Sequence, residues 1–266
     1  MDLFQAIILG IIEGLTEFLP VSSTGHLIIG SALLGLDPND PFVQLFNVSI
    51  QLGTILSVVV LYFRRFFRSM NFYYKLAIAV IPAVVLGILF NKQIDKFLGS
   101  VAIVAVMLVV GGIFLLFIEK IFKTPVHDDS DNISYKSAFK IGIWQCLAMV
   151  PGVSRSAASI IGGLQQKLTK KAAAEFSFFL AVPTMFGATS KKLYDYFTDS
   201  SLQLTPHDWQ MLGVGNVVGF IVAIVAIKSF ITFVSKNGFR AFGVYRIIVG
   251  MVILALLLSG QSLQMM

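Results

Sequence analysis

Apolar residues run through the chain in ten blocks, at about 3–19, 22–36, 42–63, 76–90, 101–118, 138–150, 154–164, 172–190, 211–227 and 241–258, with short polar breaks between them. None of the blocks alternates with the period of a strand, and all are rich in Leu, Ile, Val, Ala, Phe and Gly, so each predicts a helix and the chain is all-α. Their lengths sort them. A spanning helix needs about 20 apolar residues. Blocks 22–36 and 154–164 are short, and each follows a break that contains proline. Short helices after such breaks fit the returning halves of re-entrant hairpins that line a polar cavity. The reading is a polytopic membrane protein with six spanning helices and two re-entrant helical hairpins, at about 3–36 and 138–164.

The chain also repeats itself. A shift of 132 residues lays Gly10-Ile11-Ile12-Glu13 on Gly142-Ile143-Trp144-Gln145, Ser22-Ser23-Thr24 on Ser154-Arg155-Ser156, Gly30 on Gly162 and Gly87 on Gly219. One register held over most of each half predicts two five-helix repeats, about 1–125 and 135–266. The stretch 119–137 between them, with Asp128, Asp129 and Asp131, is the most polar and is expected in water.

Composition agrees. The chain is 56% hydrophobic and 13% charged, with a mean hydropathy of +0.84. A water-soluble domain needs far more polar surface, so the bilayer is part of the solvent. Block 3–19 has no Lys or Arg before it and two Glu within it, so it does not read as a cleaved signal. A single cysteine, Cys146, excludes an intrachain disulfide and a Cys-rich metal site. The net charge of +6 sits in short loops between apolar blocks, which points to anionic lipid and not to nucleic acid. The basic loops are 64–75 (Arg64, Arg65, Arg68, Lys75), 119–140 (Lys120, Lys123, Lys136, Lys140), 165–171 (Lys167, Lys170, Lys171) and 228–240 (Lys228, Lys236, Arg240). The opposite side carries Lys92, Lys96, Lys191 and Lys192, while Arg155 and Arg246 fall within or at the edge of apolar blocks. The positive-inside rule puts the four loops in the cytoplasm. Block 42–63 then runs inward and 172–190 outward, so the repeats are inverted and both termini lie outside.

Ionisable residues inside apolar blocks mark functional sites by default, because burying a charge in lipid costs about 3 kcal/mol or more. Glu13, Glu17 and Glu175 are three such residues. Glu13 and Glu17 are four apart and share a helix face. Two carboxylates so close need a cation or a proton between them. The pair is either an oxygen-ligand site for Mg²⁺ or Ca²⁺ or a protonated plug in a polar cavity. After Pro20, Ser22, Ser23 and Thr24 stand at the start of a helix, where hydroxyls cap and anions bind. His26 lies one turn further, so Ser23 and His26 form a candidate nucleophile and proton carrier; the plainer alternative is a capped helix with a satisfied histidine. The second break, Pro151-Gly152-Val153-Ser154-Arg155-Ser156, repeats the pattern with Arg155 in the place of Ser23. A guanidinium there matches phosphate oxygens, or else pairs with a glutamate and holds no ligand.

Glu13-x3-Glu17-Phe18-Leu19-Pro20-Val21-Ser22-Ser23-Thr24-Gly25-His26 and Pro151-Gly152-Val153-Ser154-Arg155-Ser156 resemble the two signature motifs of the undecaprenyl-diphosphate phosphatase family, linked to bacitracin resistance. The resemblance extends over essentially the whole chain, including Gln51-Leu52-Gly53 and Glu175-Phe176-Ser177-Phe178. It implies an enzyme of the bacterial plasma membrane that removes the terminal phosphate of undecaprenyl pyrophosphate and so recycles the carrier for cell-wall assembly. It also implies a divalent cation and a site open to the extracytoplasmic side. Catalytic roles carry over to Glu13, Glu17, Ser23, His26 and Arg155, and substrate contacts to Ser22, Thr24, Gly25, Gly152, Ser154, Ser156 and Ser159. Where many relatives have Gly-Ala-Thr, this chain has Ala157-Ala158-Ser159, which keeps the hydroxyl.

Two expectations stay open at this level. Inverted repeats with re-entrant hairpins also suit a transporter or flippase of an anionic lipid or small anion. Gly111-Gly112 and Gly162-Gly163 allow close helix contacts, either within one chain or in a homodimer.

Overall fold

In a computed structural model, residues 1–37, 40–66, 69–90, 100–123, 125–198 and 203–259 are described. Arg68, Lys92 and Lys96 lie outside them. The helices are α1 (Leu3–Thr16), α2 (Ser23–Leu33), α3 (Pro41–Leu61), the single turn α4 (Phe63–Phe66), α5 (Met70–Leu89), α6 (Val101–Ile121), α7 (Tyr135–Gln145), α8 (Arg155–Gln165), α9 (Lys170–Thr198), α10 (Pro206–Asn237) and α11 (Arg240–Leu258). Short 3₁₀ turns occupy Ser130–Asn132 and Cys146–Met149. Among the described residues there is no strand beyond one isolated bridge, His127 to Leu168.

Among the described residues six helices, α3, α5, α6, α9, α10 and α11, are long and apolar enough to cross a membrane. The chain is a multi-pass membrane protein. At about 1.5 Å per residue, the 21 residues of α3 or α6 match a hydrocarbon core about 30 Å thick. Helices α1, α2, α7 and α8, with 14, 11, 11 and 11 residues, are too short to do so. The most apolar stretches of α3 and α9 are 61% buried and that of α11 only 22%. Helices α3 and α9 are therefore central, and α5, α6, α10 and α11 turn stripes of large apolar residues outward. Val106, Val110, Ile113 and Phe117 on α6 and Val217, Ile221 and Val225 on α10 are such stripes. An apolar surface this extensive is untenable in water and ordinary in lipid.

Polar caps set the helix starts. Asp40 accepts from Phe42 N ahead of Pro41, Ser69 from Asn71 N and Ser100 from Ile103 N. Thr205 and Asp208 form a reciprocal capping box around Pro206, which starts α10 five residues before the apolar block at 211. Helix α10 also runs past the block to Asn237, ending at Gly238 with φ 72°. The hydropathy pattern marks where lipid ends, whereas the hydrogen-bonded helix continues into water.

The four basic loops converge at one end. Arg65 pairs with Asp129 and, at 3.5 Å, with Asp131, and Lys75 donates to the Asp131 carbonyl. Glu119 pairs with Lys170 at 3.2 Å and accepts from Phe239 N at 2.9 Å. The polar stretch 119–137 is therefore a clasp joining helix ends, with Ile133 3% exposed. At the other end, Gln5 Nε2 donates to the Leu34 carbonyl (3.0 Å) and His207 lies 3.0 Å from the Met1 carbonyl.

Small residues let the short helices approach the long ones. A Cβ on Gly142 of α7 would lie 2.1 Å from the Ala79 carbonyl of α5, and one on Gly10 of α1 would lie 2.9 Å from the Gly215 carbonyl of α10. Gly112 meets Gly243, Gly162 meets Trp144 and Gly163 meets Ala173, so the glycine pairs that allowed for a homodimer are used within the chain, and Gly111 faces Arg246. Because backbone cannot yield as a side chain can, Gly142→Leu is expected to destabilise the detergent-solubilised protein by about 3 kcal/mol. Thermal unfolding reads this directly, and an unchanged melting temperature contradicts the packing.

Candidate active site

Helix α1 ends at Thr16, and Glu17 still has helical dihedrals, its N–H bonded to the Glu13 carbonyl at 3.0 Å. Glu13 therefore sits one turn behind Glu17 on the same face. The chain then breaks at Pro20, and Ser22 turns through φ 69° to start α2. The second break does the same 132 residues later, where Ser154 has φ 73° ahead of α8. Gly152 takes φ 90°, and a Cβ there would lie 2.5 Å from the Val104 carbonyl, so both the turn and the space demand glycine.

The two breaks meet. Ser156 Oγ donates to the Phe18 carbonyl at 2.7 Å, a fully buried bond between the two breaks. Beside it, Arg155 Nη2 donates to Glu17 Oε1 at 3.1 Å, and Ser23 Oγ donates to the other oxygen, Glu17 Oε2, at 2.5 Å. Glu17 is thus shared by a guanidinium and a hydroxyl. The far side of Arg155 is fixed by the Ser177 carbonyl (2.8 Å) and hydroxyl (3.3 Å) from α9, and its carbon lies 5.9 Å from the centre of the Phe18 ring. A guanidinium held on three sides has little freedom to leave, which pre-organises it for whatever it faces.

The remaining candidates other than His26 fall into three groups. Ser22, Ser154, Thr24 and Gly25 surround the breaks: Ser154 caps Ala157 N, Ser22 makes no cap bond, Thr24 is exposed, and Gly25 packs on Val104. Ser156 and Ser159 are fully buried. Ser156 is bound to Phe18, and Ser159 and Ser177 bond each other at 2.7 Å, so these hydroxyls brace Arg155 from behind. The third group is Glu13 alone. It is fully buried, and neither of its oxygens has a hydrogen-bond partner among the described residues.

His26 departs from its expected pairing with Ser23. Its Nδ1 lies 2.8 Å from the Ser22 carbonyl and its Nε2 lies 2.7 Å from Tyr245 Oη. A carbonyl only accepts, so Nδ1 carries the proton, and in the neutral ring Nε2 accepts from Tyr245. The two rings stack at 5.5 Å and 6°. Helical spacing put His26 within reach of both serines; the ring turned to the carbonyl one turn back, and the Ser23 proton faces Glu17 instead. Glu175 lies elsewhere, 4.0 Å from Lys171 in the first turn of α9.

Three contributors were not singled out from the sequence: Ser177, Tyr245 and Arg246. Ser177 stands in the Glu175-Phe176-Ser177-Phe178 stretch that the resemblance covers but was given no role, and Tyr245 is an ordinary residue in an apolar helix with no local signal. Arg246 carries one, a cation inside an apolar block, by the same rule that singled out the glutamates.

A polytopic helical membrane protein with a carboxylate, a guanidinium and a hydroxyl joined inside its apolar body is the class that fold and site define. The chain belongs to the bacitracin resistance protein BacA family, whose model matches residues 6–252. It is 59% identical over 254 residues to an undecaprenyl-diphosphatase of Flavobacterium psychrophilum, covering 96% of this chain and 95% of the relative. Identity to the undecaprenyl-diphosphatase of Porphyromonas gingivalis is 51% over 282 residues, covering 99% of both chains. To that of Bdellovibrio bacteriovorus it is 48% over 267 residues, covering 100% of both.

Proposed function

We propose that this chain is an integral-membrane phosphatase that hydrolyses undecaprenyl pyrophosphate to undecaprenyl phosphate and inorganic phosphate, recycling the lipid carrier for cell-wall synthesis. The observation that carries the chemistry is the bridging position of Glu17, which accepts from Ser23 on one oxygen and from Arg155 on the other. A carboxylate so placed takes the Ser23 proton as Oγ attacks the terminal phosphorus. The new Oγ–P bond forms as the bridging P–O bond breaks. The leaving group is the polyprenyl monophosphate, stable as an anion because its second pKa is about 6. Glu17 passes that proton to the departing phosphate oxygen and is a carboxylate again when water attacks the phosphoserine; it takes the water's proton and returns it to Ser23 Oγ as the Oγ–P bond breaks and inorganic phosphate leaves. Arg155 and the free N–H groups at the start of α2 and α8 face the charge that the equatorial phosphate oxygens carry.

His26 acts beside this centre, held by Tyr245, and shifts protons at the Ser22 edge of the site. The partnerless oxygens of Glu13 fit a cation such as Mg²⁺ or Ca²⁺, which prefer oxygen ligands. Glu13 and Glu17 would hold it, and it would neutralise the substrate's charge.

The architecture proposed is the inverted repeat, about 1–125 and 135–266, with hairpins 3–36 and 138–164 re-entrant. It is supported by the matching turns at Ser22 and Ser154. It is supported too by the packing of α1 on α10 as α7 packs on α5, and by the reciprocal Gly112–Gly243 contact of α6 with α11. The first hairpin starts and ends near Gln5 and Leu34, the second near the basic loops, where Val126 N donates to the Lys167 carbonyl at 2.8 Å. With the basic loops in the cytoplasm, the first hairpin enters from outside, both termini are outside, and the site opens to the extracytoplasmic side. The polyprenyl tail leaves sideways between helices into lipid.

The test is phosphate release from undecaprenyl pyrophosphate by detergent-purified protein, where no compartments exist for transport to act between. Release is expected, with at least a tenfold loss on adding EDTA and recovery with Mg²⁺ or Ca²⁺, on the order of one step in 1.4 kcal/mol. Glu13→Gln is expected to raise the cation concentration needed for half-maximal rate. No release by folded, cation-loaded protein sinks the proposal and favours an anion carrier.

A further inference from the structure

Arg246 lies on α11, fully buried, and among the described residues no Asp or Glu pairs with it. A guanidinium has five N–H donors and no acceptor, and here each donor meets a backbone carbonyl. Nη1 donates to Pro20 (3.1 Å) and Val153 (3.0 Å), Nη2 to Gly152 (2.9 Å) and Met107 (3.0 Å), and Nε to Leu108 (3.4 Å). Pro20 belongs to the first break, Gly152 and Val153 to the second, and Met107 and Leu108 to α6. Chain breaks inside a membrane leave carbonyls without helical partners, each costly if unsatisfied. One side chain from a third element satisfies carbonyls of both. Space for it is built in: a Cβ on Gly111 would lie 2.4 Å from Arg246 Nη2.

We infer that Arg246 is a positioning residue that locks the two chain breaks in register, so that Ser23 and Glu17 from one and Arg155 from the other are held at reacting distance. It touches none of these three. Its effect is transmitted through the Pro20, Gly152 and Val153 carbonyls, which lie three residues from Glu17 and Ser23, and three and two from Arg155 respectively. The charge is retained without a counter-ion because five carbonyl dipoles solvate it. Lysine keeps the charge but has three donors on a flexible stem and cannot serve five acceptors in one plane.

This inference rests on the proposed phosphatase reading for its kinetic arm, and a second arm does not depend on activity. In Arg246→Lys, hydrogen exchange is expected to rise at residues 17–23 and 150–155 together, with the central helices α3 and α9 unchanged. In the same protein kcat is expected to fall on the order of 100-fold, as for misplaced reacting groups, with KM moved by less than about threefold. Gly111→Ala crowds the guanidinium from α6 while favouring the helix, and it tests the same lock without altering Arg246 itself. It is expected to raise exchange at the same two segments and lower kcat about tenfold. Wild-type exchange at either segment in folded variant protein overturns the assignment, whether or not the wild type releases phosphate. Raised exchange at both with unaltered kcat, in protein whose wild type is active, overturns the catalytic consequence.

Discussion

Glu17→Gln is expected to abolish phosphate release, lowering kcat by at least about 10³-fold while leaving the protein folded. Two losses combine. The amide cannot take a proton from Ser23, which removes a base contribution of about 10²- to 10⁴-fold. It also leaves Arg155 without its counter-charge in a buried setting, where only neutral acceptors remain, the amide oxygen and the Ser177 carbonyl and hydroxyl, and a buried charge without its partner costs about 3–5 kcal/mol. Part of that cost falls on stability and part on binding, since the freed guanidinium is available to the diphosphate. The expected pattern is therefore a collapsed kcat with KM unchanged or lower. Steady-state phosphate release across substrate concentrations checks it. Wild-type kcat in the folded variant removes Glu17 as base. A raised KM at normal kcat makes it a binding group only.

Much of this arrangement was legible before any coordinates, for a physical reason. In a chain whose solvent is lipid, charge is rare and expensive, so Glu13, Glu17 and Arg155 stand out as a carboxylate never would on a soluble surface. Proline and glycine breaks between apolar blocks likewise marked where α1 hands over to α2 and where the 3₁₀ turn hands over to α8. The helix ends were less legible. Block 172–190 grew into Lys170–Thr198 and 211–227 into Pro206–Asn237, because hydropathy reports the lipid boundary while capping by residues such as Thr205 and Asp208 decides where a helix stops. Partner choice was legible for Arg155, whose alternative to a phosphate was a glutamate and which meets Glu17, but not for His26. Spacing allowed His26 to reach Ser23, yet a rotamer selected the Ser22 carbonyl and Tyr245, 219 residues away. The supports from Ser177 and Arg246 exist only once α9 and α11 are packed against the breaks.

Ser23→Ala is expected to be as damaging as Glu17→Gln, with a kcat loss of at least about 10³-fold, because it deletes the nucleophile outright. The geometry makes a sharper statement about the pair. Ser23 and Glu17 are joined by a single 2.5 Å hydrogen bond, and a base without its nucleophile has nothing to deprotonate. Residues that act as one unit lose their effect together, so the double variant is expected to be no slower than either single one, within about threefold. Independent roles multiply instead, to a loss on the order of 10⁶-fold. Acid-quenching the enzyme during turnover and mapping phosphate by mass separates the chemistry further. Phosphate on Ser23 in the wild type supports the covalent route. Phosphate on His26, or multiplicative losses in the double variant, overturns it, and full activity of Ser23→Ala leaves attack by water with Glu17 as its base.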